Sequence, residues 1–288
     1  MNSQVRVFCL ISLLGFCIGC ETKGQFNQEP AGTVAQTLDS TNASPGPSHV
    51  QASRNAILPQ PKITDFATAN FRILFIGNSH TSNYNVPELV KQFLESTADK
   101  PKVKTQTIGC EFLEGLASDE QVQSTIESGD WDVVVLQAQK ISSSGKYLYS
   151  TDDAKQLSKL AHDADAQVVL FSEWGRLNVA GETERTQKIY EEIQQANNDT
   201  LAPIGQAWEA AMKKRPGLVL HAGDGNHANA TGAWLTALTI FAVISAEDCR
   251  NLPTLNSTSV DEDVQEFFKD VVAGVHDSIT KASLPPGQ

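Results

Sequence analysis

The sequence predicts an α/β protein, a three-layer α/β/α sandwich around a five-stranded, mainly parallel sheet. Three observations predict it. Short apolar or β-branched runs alternate with longer segments of helical period. The central runs Ile73–Ile76 and Val133–Leu136 are apolar at every position, as in strands covered on both faces. The spacing between runs suits βαβ units, whose right-handed crossovers place helices on both sides of one sheet.

The elements follow in order. Arg72–Ile76 is the first strand. Val86–Ser96 carries Val86, Leu89, Val90, Phe93 and Leu94 on one helical face. Val103–Ile108 alternates with period two, and Ser118–Glu127 is a helix. Trp131–Leu136 is a third, β-branched strand. Thr151–His162 is a helix that Ser150 can cap. Gln167–Phe171 is the fourth strand and Glu182–Gln195 a helix. Leu201–Ile204 is a short fifth strand, followed by a helix over Ala207–Lys214. Leu218–His221 is at most a brief extended piece. Thr231–Ser245 is an apolar, core helix, and Val260–Lys281 a terminal amphipathic one. No internal repeat is visible.

The 288 residues are 40% hydrophobic and 19% charged, the composition of one sizeable globular domain. The N-terminal part reads differently. Arg6 precedes an apolar run, Val7–Ile18, too short to span a bilayer as a helix and suited to a secretory signal. It closes on Cys17-Ile-Gly-Cys20, which resembles a bacterial lipobox with cleavage before Cys20 and lipidation of its thiol. Cys17 stands where Leu is usual. The expected organisation is a signal peptide over 1–19, a lipidated Cys20 with a tether to residue 65, and a folded domain over 66–284. The tether segment is rich in Gln, Ser, Thr, Asn, Pro and Gly and cannot bury enough surface to fold. A plain signal peptide or an uncleaved anchor is the alternative. The expected location is the cell envelope, exported and held to a membrane through the lipid alone.

The net charge is −12, and removing residues 1–19 takes away Arg6 alone, leaving −13. Such a surface argues against nucleic acid as partner. After cleavage Cys110 and Cys249 remain beside Cys20, either paired or as buried thiols. The absence of a Cys-x-x-Cys pattern there argues against a thiolate zinc site.

Chemistry concentrates at two places. Gly77-Asn78-Ser79 follows the first strand directly, so Ser79 lies at the carboxyl edge of the sheet, where ligands of such folds bind. Glycine at 77 permits a tight turn. Ser79 is a candidate nucleophile if a base takes its proton, or else a helix cap. Far downstream, Asp224-Gly-Asn-His227 offers that base, because Asp224 can reach the imidazole Nδ1 and leave Nε2 for the serine. The competing readings are a polar turn, or a metal set of His221, Asp224 and His227.

Gly77-Asn78-Ser79 behind an apolar strand, with Asp224-x-x-His227 followed by Thr231-Gly-Ala-Trp-Leu235, resembles the SGNH subfamily of GDSL hydrolases over residues 70–246. The resemblance implies an α/β/α fold and ester hydrolysis through an acyl-serine, with no cofactor and no metal. Ser79 would be the nucleophile, His227 the base and Asp224 its orienting partner. The oxyanion would be held by the Ser79 and Gly109 backbone and by a side-chain amide after the third strand. There the chain departs from the family. Gln137-Ala-Gln-Lys140 stands in place of the usual Gly and Asn, as in a branch whose third block begins Leu-Gln. Gln139 matches by register, whereas Gln137 lies nearer the strand end and has the reach. Asn78 replaces the usual Asp beside the serine.

His80, next to Ser79 and so ill placed to be its base, either lines the pocket or is a surface residue. Trp174, beyond the fourth strand, either binds substrate by stacking on a sugar or acyl group, or packs under a loop. The expected substrate is a small ester, an O-acyl (acetyl) group on carbohydrate, taken by a monomer. A non-catalytic glycan-binding module or an O-acyltransferase on the same fold is the alternative.

Overall fold

The computed structural model describes residues 70–138, 141 and 147–283. The expected signal peptide and tether, Cys20 and Gln139 lie outside the described residues. Five strands run β1 Phe71–Gly77, β2 Val103–Gly109, β3 Val133–Leu136, β4 Gln167–Phe171 and β5 Thr200–Ala202. They form one sheet in the order β2-β1-β3-β4-β5, parallel at every pairing. The chain moves from β1 outward to β2 and then returns past β1 to β3. The carboxyl end of β1 is therefore the point at which the winding reverses, where open α/β sheets place their ligands.

The helices are α1 Ser79–Ser82, α2 Val86–Glu95, α3 Glu120–Ser128, α4 Asp152–Asp163, α5 Glu182–Asn197, α6 Ile204–Lys214, α7 Ala230–Ser245 and α8 Glu262–Ser283. The period of two in the strands divides the core. Ile73, Phe75, Val133, Val135, Val169 and Phe171 pack with α2, α6, α7 and α8. Leu74, Ile76, Val134, Leu136, Val168 and Leu170 pack with α3, α4 and α5 on the opposite face. This is the three-layer sandwich that the alternating runs predict, with the sheet wholly parallel.

Boundaries differ where polar chemistry intervenes. Helix α3 begins after Asp119, whose Oδ1 accepts the Gln121 and Val122 N–H groups, and not at Ser118. Strand β5 stops at Ala202, and α6 starts at Ile204 on the far side of Pro203. The brief piece at Leu218–His221 is reduced to one bridge between His221 and Ala228. Strand β2 is the sheet edge, which explains its exposed Lys104 and Gln106. Every residue of α7 from Gly232 to Ser245 is buried, so the helix is apolar all round because it has no solvent face. No helix among the described residues is long and apolar enough to cross a membrane.

Candidate active site

Strand β1 delivers Gly77-Asn78-Ser79 to the carboxyl edge. Gly77 has no positive φ. Glycine is required there by close approach, since a Cβ would lie 2.4 Å from Thr81 Oγ1 and 2.5 Å from Gln137 Oε1. The capping role belongs to Asn78. Its Oδ1 accepts the His80 N–H at 3.0 Å, while its backbone carbonyl accepts from Thr81 at 3.0 Å and Ser82 at 3.1 Å. Ser79 is thus the first residue of α1, with its hydroxyl released from capping. Its own N–H has no acceptor among the described residues.

Ser79 Oγ lies 2.8 Å from His227 Nε2, and His227 Nδ1 lies 2.5 Å from Asp224 Oδ2. Asp224 Oδ1 accepts the Asn226 N–H at 2.9 Å and the His227 N–H at 3.0 Å. The bond from His227, followed by these two backbone bonds, holds the Asp224 carboxyl far below the usual range. An ionised Asp224 fixes the proton on Nδ1 and leaves the Nε2 lone pair facing the serine hydroxyl. The loop that carries the pair is closed on itself. Ala222 N–H donates to His227 O at 2.7 Å, Asn229 N–H donates to Leu220 O at 2.8 Å, and Gly225 takes the left-handed turn at φ 69°. His221 is directed elsewhere, to Gly175 O at 3.0 Å. The three-ligand reading of His221, Asp224 and His227 does not match this geometry, and no group of three metal-binding side chains occurs among the described residues.

A cavity of about 360 Å³ opens over this array, lined in part by Ser79, His80, Cys110, Phe112, Asn226 and His227. His80 is buried at 3% exposure and lines the cavity, its ring 5.0 Å from that of His227. Gly109 ends β2 directly opposite Gly77 in register, beside the cavity-lining Cys110. Cys110 and Cys249 are both free thiols. Burial, assisted by the charge of Glu173, pushes the Cys110 thiol up to about 11 and makes it a poor nucleophile.

Two expectations are corrected. Trp174 is not a substrate platform. It is 5% exposed, stacks on Trp208 with centroids 4.0 Å apart, and donates its Nε1–H to Asn226 O at 3.0 Å. It props the histidine loop from beneath, because the chain after β4 turns inward against α6. Gln137 is not presented to the cavity as an oxyanion donor. The residue is fully buried under the turn that carries Ser79, its Oε1 accepting from Asn78 N–H at 2.7 Å and Thr81 Oγ1 at 2.9 Å. Its Nε2 donates to Glu173 Oε1 at 2.5 Å. Glu173 was the residue without a sequence signal. Its place just past β4 is readable, but its partner is 36 residues away.

No protein-family model matches the chain, and no curated protein matches it. Solved structures do. A DUF4886 family protein from Bacteroides uniformis superposes with a TM-score of 0.55 at 15% identity, over 75% of this chain and 96% of that one. An acetyl xylan esterase, AlAXEase, gives 0.50 at 16% identity, over 60% of this chain and 100% of that one. The chain has the SGNH-type fold. A protein from Slackia heliotrinireducens described as a candidate SGNH hydrolase is 22% identical, covering 61% of this chain and 99% of that one at a TM-score of 0.48. At such identities the likeness to these structures is one of fold, and the chemistry rests on the side chains.

Proposed function

We propose that this chain is a serine esterase of the cell envelope, tethered through lipidated Cys20, that removes small O-acyl groups from carbohydrate. The observation that carries the reading is the continuous alignment of Ser79 Oγ, His227 Nε2 and Asp224 at the mouth of the cavity. Ser79 attacks the ester carbonyl while His227 takes its proton, and Asp224 stabilises the imidazolium that forms. The Ser79 and Gly109 N–H groups hold the developing oxyanion. His227 returns the proton to the leaving alcohol, and water then repeats the sequence on the acyl-serine. No cofactor enters these steps.

A cavity of about 360 Å³ suits a short acyl group with part of its alcohol. Likeness in fold to an acetyl xylan esterase supports acetyl groups on a polysaccharide as the first substrates to test. The intact serine–histidine–aspartate alignment favours catalysis over a purely glycan-binding module. Acetate release from acetylated polysaccharides, with Ser79→Ala as control, tests the reading. Release by wild type alone supports it, and equal release by both proteins overturns it. The anchor is tested separately. Wild type should fractionate with membranes and Cys20→Ser should be soluble, whereas the same partition for both removes the lipid from the account.

A further inference from the structure

Gln137 and Glu173 are 0% and 1% exposed, outside the cavity and in contact with neither His227 nor Asp224 among the bonds described. One oxygen of Gln137, Oε1, accepts two hydrogen bonds. The Asn78 N–H comes from the residue before Ser79, and the Thr81 hydroxyl from two residues after it. That oxygen therefore holds the nucleophile turn from both sides. The backbone of Gln137 is fixed as well, its N–H donating to Ile76 O at 2.9 Å as the sheet's last rung between β1 and β3.

An amide has two unlike ends, and something must decide which one faces the turn. Asn78 N–H can only donate, so it requires the oxygen. Glu173 Oε1 accepts from Nε2 at 2.5 Å, and Tyr190 OH donates to Glu173 Oε2 at 3.3 Å. Reversing the amide would set N–H against N–H and oxygen against carboxylate oxygen between two fully buried side chains. We propose that Glu173 and Gln137 form a buried positioning relay, in which Glu173 orients the Gln137 amide so that its oxygen holds the turn carrying Ser79. The relay rests on the reading of Ser79 as nucleophile. It gives Gln137 a task different from oxyanion binding.

The test is steady-state hydrolysis of p-nitrophenyl acetate by the full chain. Gln137→Met keeps the side-chain length and removes both ends of the amide. It should lose about 10- to 100-fold in kcat, the scale set by small misplacements of a reacting group, with KM nearly unchanged. Glu173→Met should fall similarly. Glu173→Gln, which still offers an oxygen to Nε2, should recover most of that loss. The double variant Gln137→Met/Glu173→Met should be no worse than either single one, because both act through one unit. Losses that add, losses in KM alone, or a folded Gln137→Met with wild-type kcat would overturn the relay. If Gln137→Met does not melt cooperatively, Thr81→Val replaces it. A lower kcat at constant KM then supports the relay, and an unchanged kcat overturns it. Wild type without Ser79-dependent turnover would remove the nucleophile reading and the relay together. An active wild type with an unaffected Gln137→Met would remove the relay alone.

Discussion

Asp224 acts at the residue scale by deciding where one proton sits. It is half-exposed, with 50% side-chain exposure, yet three hydrogen bonds keep it ionised well into acid. Its depressed value means that the stability it contributes is present above the ordinary carboxylate range and is lost progressively as pH falls through that range toward the lowered value. Asp224→Asn cannot hold Nδ1–H in the same way. It should lower kcat by up to about 10⁴-fold with little change in KM, measured on a soluble ester. Gly77 acts by being small. Gly77→Ala forces its methyl against Thr81 Oγ1 and Gln137 Oε1 and should cost about 1–3 kcal/mol in urea unfolding, together with a fall in kcat. The serine, histidine and aspartate were legible in the sequence because each sits in a short local pattern. The clamp on Gly77 was not, because its members come from β1, α1 and the ends of β3 and β4.

At the scale of elements, the histidine loop is held from two directions. Leu177 N–H donates to Gly225 O at 2.8 Å, and Trp174 Nε1–H reaches Asn226 O. The segment after β4 is in turn anchored to the start of α5. Glu182 accepts from the Arg176 backbone and guanidinium, and Thr183 Oγ1 accepts from Gly175 N–H. Trp174→Phe removes one of these supports while keeping an aromatic ring over Trp208. It should retain most of the stability and lose about tenfold in kcat, the scale expected when a base drifts by a fraction of an ångström. Equal kcat in a folded Trp174→Phe would show that the loop needs no such prop. The helices and strands were readable from period and apolar runs. That Trp174 packs under a loop was one of its two readings, but nothing local to it announces its partners Trp208 and Asn226.

Across the whole molecule, one sheet reversal gathers the site. Strands β1, β2, β3 and β4 all end at the same edge, which brings residue 79 to residue 227 across 148 positions of chain. The alternating pattern of the sequence foresaw a parallel sheet with right-handed crossovers and Ser79 at its carboxyl edge, whereas the strand order, which long-range pairing decides, was not legible in it. The same packing buries the Cys249 thiol and half-buries that of Cys110. Burial pushes Cys110 to about 11 and Cys249 to about 12, both above the ordinary 9.0. A raised value in the folded state means that stability is complete below pH 9 and declines as pH climbs toward 11 and 12. The urea midpoint should therefore fall above pH 9, and fall less in a Cys110→Ala/Cys249→Ala variant. Identical declines would show that the thiols do not contribute.

The central claim is that Ser79 forms a covalent acyl intermediate. Intact-mass analysis after exposure to a fluorophosphonate, with peptide mapping, tests it most directly. Wild type should carry a single adduct on Ser79, formed more slowly in His227→Ala and absent in Ser79→Ala. An unmodified wild type, or an adduct that persists in Ser79→Ala, would contradict it.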